Sequence, residues 1–209
     1  MPSKYVDIPA IMQVIGSVFN NPRLLDYTDK YSLTDEDFPD QFHKIAFGCI
    51  FKLHELGAQE ISLSSIADFL AARPKSEAIF KQQKGEEWLI KISENATPNT
   101  FDYYYNRVKK FTLLRAYDSY GIDVTDIYDP DDILDTKKRQ HQEEALDNSS
   151  LVDLANKIDK RIEDIRLRYV DEVIDEAQQA GTNILELIKD LKENPEVGVP
   201  LYGPLINTV

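Results

Sequence analysis

The apolar residues of this chain recur three and four apart almost from end to end, and strand-type alternation is hardly seen. A side chain returns to the same direction every 3.6 residues in a helix and every two in a strand. The pattern therefore predicts an all-α fold. Ile11, Met12, Ile15, Val18 and Phe19 share one helical face, with Pro9 in the first turn. Asn20-Asn21-Pro22 ends that helix and starts another, with Asn21 as the predicted N-cap. Ile45, Ala46, Cys49, Ile50, Leu53 and Leu56 form a second stripe over about 42–56, and Gly57 suits its C-terminal stop. Ser62 or Ser64 caps a helix through Ile66, Ala67, Phe69 and Leu70, closed before Pro74. Two short helices are predicted near 77–83 and 86–93, separated around Gly85. A long helix starts near Phe101 and runs toward Tyr120, carrying Tyr104, Tyr105, Val108, Phe111, Leu114 and Tyr117.

Composition changes at Gly121. From there to Ser150 apolar residues are sparse, which predicts frayed helix or a mobile connection. Beyond it, Leu154, Ile158, Ile162, Ile165, Tyr169 and Val173 make a narrow stripe, suited to a helical hairpin or coiled-coil contact. Asn183 and Glu186 form a capping box for a last helix, whose Ile184, Leu187, Ile188 and Leu191 face one way. Three parts are expected: a compact helical globule over 1–100, a long helical hairpin over 101–178, and a linker helix with an open tail over 179–209. The tail is rich in Pro and Gly and apolar, and reads as the arm leading to a domain beyond Val209.

Net charge is −13. Such a balance disfavours an isolated duplex-binding domain, because phosphate contacts need Lys and Arg. The single cysteine forms no internal disulfide, and the first residues lack a signal peptide's apolar core. A cytoplasmic setting is expected, with no membrane span.

No catalytic, cofactor-binding or metal-ligating set emerges. Gly198 and Gly203 have the glycine spacing of a P-loop, but Pro204-Leu205 replace its Lys and Ser/Thr. His43 and His54 stand about three helical turns apart, roughly 16 Å, too far to share a metal. Cys49 lies on an apolar stripe and reads as a buried small hydrophobe. Phe101-Asp102-Tyr103-Tyr104-Tyr105-Asn106-Arg107 has two readings. Helical spacing favours core or dimer packing, whereas Arg107, Lys109 and Lys110 beside the aromatics allow stacking on single-stranded nucleic acid.

The order of motifs resembles the N-terminal domain of DnaB-type replicative DNA helicases. That family's Ile-Gly step and following Pro are matched by Val14-Ile15-Gly16 and Asn21-Pro22. Its acidic-Phe step and His-led helix are matched by Glu36-Asp37-Phe38 and Phe42-His43-Lys44-Ile45. Leu53 and Gly57, Ile61-Ser62-Leu63, Gly85 to Leu89, Pro98-Asn99 with Tyr103-Tyr104-Tyr105, and Leu113-Leu114-Arg115 continue the series. Gly198-Val199-Pro200 resembles the family's approach to its RecA-like ATPase domain. Departures at Pro9-Ala10-Ile11, Ser62 and Leu201-Tyr202-Gly203 point to a divergent, phage- or prophage-type branch.

The resemblance implies an oligomerisation and partner-docking region, dimeric through its hairpins and hexameric in the intact ring. Tyr104, Val108, Phe111, Leu154, Ile158 and Ile165 are the expected hairpin or dimer interface. Ile184, Leu187, Ile188 and Leu191 are the expected linker docking face. Primase and a helicase loader are the implied partners, and single-stranded DNA is reached through the ring. ATP, magnesium and unwinding belong to the domain beyond Val209. The alternative is a free-standing helical adaptor, such as a helicase loader or primosome scaffold.

Overall fold

The computed structural model describes residues 4–132 and 134–170, and all regular structure among them is helical. The helices are α1 Ile8–Asn20, α2 Gln41–Glu55, α3 Leu63–Ala71, α4 Pro74–Gln82, α5 Gly85–Asn95, α6 Phe101–Ser119, α7 Thr136–Asn148 and α8 Leu151–Val170. Short 3-10 turns stand at Pro22–Asp26, Asp35–Asp37 and Pro98–Thr100. The all-α expectation holds. None of these helices is long and apolar enough to cross a membrane. The chain forms two units, one ending at Ala155 and the other starting at Asn156.

In the first unit α1 is the central element, packed on α2, α5 and α6. Asp7 starts it: one carboxylate oxygen accepts the Ala10 amide at 2.9 Å, and Pro9 fills the first turn. Of the predicted stripe, Ile11, Ile15 and Val18 are buried and Met12 and Phe19 partly so, and Val14 is buried as well. They join Phe38, Ala46, Ile50, Ile66, Leu70, Leu89 and Ile92 in one core. Each fully buried aliphatic side chain contributes about 1.5–3 kcal/mol.

Gly16 lets α1 and α5 approach closely. A Cβ at that position would lie 2.6 Å from the Ile92 carbonyl oxygen. The same helix supplies Gln13, whose amide donates to the Asn95 carbonyl at 3.0 Å, and Asn20, which donates to the Ser93 carbonyl at 2.8 Å. Carbonyls at the end of α5, which have no partner within a helix, are satisfied this way.

Two predicted boundaries shift. Asn21 makes no side-chain cap; the Leu24 amide in that turn bonds the Asn21 carbonyl at 3.1 Å instead. Near Gly85 the left-handed residue is Lys84, with φ +51°. Gly85 is small for a different reason: a Cβ there would sit 2.5 Å from the Phe80 ring.

The larger difference lies in 121–150. The composition predicts fraying or mobility, but this stretch folds α7 and buries Val124, Ile127, Tyr128 and Leu146. Asp135 starts α7 by accepting the Lys137 and Lys138 amides. Tyr128 packs edge-on against Phe111 of α6, ring centres 5.1 Å apart. In the second unit, Ile158 of α8 is fully buried.

Candidate functional site

Helix α6 carries Arg107, Lys109, Lys110 and Arg115, and each of them is tied to other elements within the chain. Arg107, with its side chain one-tenth exposed, reaches three carboxylates. Its Nε donates to Asp7 at 2.6 Å, one terminal nitrogen to Asp147 at 2.5 Å and the other to Glu143 at 2.8 Å. Burial works against its charge, but the carboxylates outweigh that and hold its pKa above the ordinary range. The planar fork of a guanidinium suits this arrangement, where an ammonium cannot reach three acceptors in one plane.

Lys109 meets both oxygens of the buried Asp37 at 3.0 and 3.1 Å and the Ser32 carbonyl at 2.9 Å. Lys110 donates to the Leu146 and Asp147 carbonyls at 2.7 and 3.1 Å. A cation there complements the negative end of α7. Its pKa is lowered by burial. Arg115 donates to the carbonyls of Tyr5, Glu36 and Asp37. Helix α6 is thus a spine that clamps the chain start, the Asp35–Asp37 turn and α7.

This arrangement disfavours the nucleic-acid reading of the tyrosine run. Tyr103, Tyr104, Phe111 and Tyr128 do line an open cleft beside Arg107. Yet Arg107 is already matched by three carboxylates in that cleft, and Lys109 and Lys110 are engaged elsewhere. Tyr103 donates its hydroxyl to Asp147 at 2.9 Å, and Tyr105 is buried in the core. A phosphate approaching here meets more negative charge than positive.

The predicted interface residues separate into three groups. Val108 and Phe111 are 2% exposed, and Tyr104 is half-buried against the core. Val108 and Tyr104 pack with the core and Phe111 against Tyr128, so these positions of the expected hairpin or dimer interface have neighbours within one chain. Leu154 and Ile158 are also buried. Ile165 is 59% exposed, in line with Ile162 at 50% and Tyr169 at 73%. Ile184, Leu187, Ile188 and Leu191 lie outside the described residues. Cys49 is buried, and burial pushes its thiol pKa up to about 11. His54 bonds Asp26 at 2.7 Å. His43 stacks near Trp88, ring centres 5.4 Å apart.

Sequence periodicity missed Asp7, Glu143 and Asp147, the partners of Arg107. Only Asp7 left a signal, its place shortly before Pro9 at the start of a helical pattern.

Residues 4–110 match the model of the DnaB-like helicase N-terminal domain, just over half of the chain. The chain belongs to that family. The match covers α1 to α5 and the first half of α6, including Arg107, Lys109 and Lys110. The chain is also similar to the SPbeta prophage-derived uncharacterized protein YorI of Bacillus subtilis (strain 168), with 34% identity over 203 residues. That similarity covers 97% of this chain and 40% of YorI. The prophage origin of this relative agrees with the phage-type branch. No solved structure matches the chain.

The motif residues of this DnaB-like domain have structural tasks. Gly16 admits the α5 backbone, Gly85 admits the Phe80 ring, Asp37 holds Lys109 and Arg115 binds three carbonyls. They position helices against one another.

Proposed function

We propose that this chain is the oligomerisation and partner-docking region of a replicative-helicase-like protein acting in DNA replication. Family membership supports the setting. The observation that carries the assembly role is the stripe on α8. Ile162, Ile165 and Tyr169 follow one another at spacings of three and four and are each at least half exposed, while Leu154 and Ile158 earlier on the helix are buried. A stripe of this kind is the seam of a helix pair. A second copy of α8 covers it, and pairs of chains build the hexameric ring. Primase and a helicase loader are the docking partners, and single-stranded DNA passes through the ring.

ATP and magnesium bind in an ATPase domain beyond Val209, which performs the unwinding. Its support is indirect: YorI is more than twice as long as the region it shares with this chain, since the chain spans 40% of it.

The test is the mass of the 209-residue chain in solution by light scattering. The chain should run as a dimer or larger. Ile162→Asp with Ile165→Asp should shift it to monomer while its helical circular dichroism is retained. A strict monomer at high concentration, or a double variant that stays dimeric, overturns the pairing.

A further inference from the structure

Gly48 stands in the middle of α2 with open space above it: a Cβ built there meets nothing within 4 Å. A glycine inside a helix costs about 0.5–1 kcal/mol relative to alanine. Gly16 and Gly85 have neighbours that demand the missing side chain, whereas Gly48 has none. Two hollows meet at it. Phe69 and Leu70 of α3 wall one, and Leu33 and Phe51 wall the other. Lys52 borders both hollows, and Arg73 borders the first, its guanidinium 3.6 Å from the Phe69 ring centre. Lys52 also meets Glu55 at 2.6 Å, but both side chains are about half exposed, and water screens such a pair. Among the described residues lining the two hollows the one carboxylate is Asp35. With Glu55 counted, two cations and two carboxylates meet here in a chain of net charge −13, and Arg73 is the cation of this face without a carboxylate in ion-pair range among the described residues.

We propose that this face docks an amphipathic helix of a partner protein, with carboxylates flanking an aliphatic stripe. The stripe seats in the two hollows, the partner backbone approaches α2 at the Gly48 notch, and the carboxylates meet Lys52 and Arg73. Charge selects this occupant. The exposed stripe of a second copy's α8 is flanked by both signs, with Arg166 and Arg168 beside Glu163 and Asp164. It offers Lys52 and Arg73 no excess of acid. Small residues that permit close helix approach and an apolar groove read at helical spacing are the recurring parts of such docking.

The test uses the whole 209-residue chain and two labelled helical peptides with the same leucine stripe, one flanked by Glu and one by Lys. Fluorescence anisotropy should show the Glu peptide binding about tenfold or more tightly, a difference of about 1.4 kcal/mol. Gly48→Leu, which fills the notch, should abolish binding. Arg73→Glu, at an exposed position, should remove the preference for the Glu peptide and decides the matter if Gly48→Leu does not fold. Ile162→Asp should leave peptide binding unchanged, which separates this face from the pairing of α8. Equal binding of both peptides, binding that survives Gly48→Leu, a preference that survives Arg73→Glu, or no binding of either peptide overturns the proposal.

Discussion

Asp7 Oδ2 and Arg107 Nε lie 2.6 Å apart across 100 residues of sequence. The other oxygen of Asp7 caps α1, so one carboxylate both starts that helix and fixes it to α6. Breaking a buried pair leaves an uncompensated charge and costs about 3–5 kcal/mol. Arg107→Ala strands three carboxylates and should lose stability in that range by urea denaturation. Arg107→Lys should recover only part of the loss, because a single ammonium does not span Asp7, Glu143 and Asp147. Asp7→Asn should be milder than Arg107→Ala, since it keeps an acceptor for the Ala10 amide. Full recovery by lysine would show that charge alone, without the fork, holds the site.

Gly16→Ala and Gly48→Ala make opposite predictions from the same chemical change. At Gly16 the new methyl meets backbone 2.6 Å away, which side-chain motion cannot relieve. Forcing α1 from α5 should destabilise by about 1–3 kcal/mol. At Gly48 the methyl enters open space, and the helix should gain about 0.5–1 kcal/mol. Thermal melts of both variants check the pair: Tm should fall for the first and rise for the second.

Periodicity made α1, α2, α3, α5 and α6 legible because each buries at least two apolar residues at helical spacing, whereas α4 buries Phe80 with Ile79 partly covered beside it. It failed for α7, where Leu146 is buried and the remaining contacts are polar. A helix held by Arg107 and Lys110 looks, residue by residue, like a solvated connection. The stripe over Tyr104, Val108 and Phe111 was visible, but not which partner covers it. Periodicity reports that a face is buried and says nothing of whether the covering residues come from the same chain. The Gly48 notch was equally hidden, since a glycine at that position carries no mark that separates it from Gly16.

His43 makes stability depend on pH. Burial beside Phe42 and Trp88 lowers its pKa below the usual 6.5, with Asp40 acting weakly in the opposite sense. Its Nδ1 has no hydrogen-bond partner among the described residues, so protonation gains no new bond there. The unfolded chain therefore binds the proton more readily than the folded one. Stability from this residue is full above pH 6.5 and falls as pH drops below it. His43→Phe removes that dependence. The variant's stability relative to wild type should rise as pH falls from about 7.5 to 5.5 in urea titrations. A difference that stays flat with pH would mean that the ring protonates freely in the folded protein.

Lys109 and Asp37 form an enclosed ion pair, with the Asp37 side chain fully buried and that of Lys109 19% exposed. Asp37 also accepts the Thr34 amide at 2.8 Å, so its carboxylate orders the turn leading into Phe38 as well as binding α6. Lys109→Met removes the cation and leaves a buried carboxylate facing a methyl group. Asp37→Asn keeps the acceptor for Thr34 while removing the charge, and Lys109 can then turn toward solvent. Lys109→Met should therefore be the more damaging single change, at about 3–5 kcal/mol. The double variant should be less destabilised than the sum of the singles, because a neutral amide in place of the Asp37 carboxylate no longer needs a cation. A double-mutant cycle by chemical denaturation should give a coupling of about 1–3 kcal/mol. Strict additivity would mean that the pair contributes nothing beyond its separate hydrogen bonds, and that Phe38 alone anchors the turn in the core.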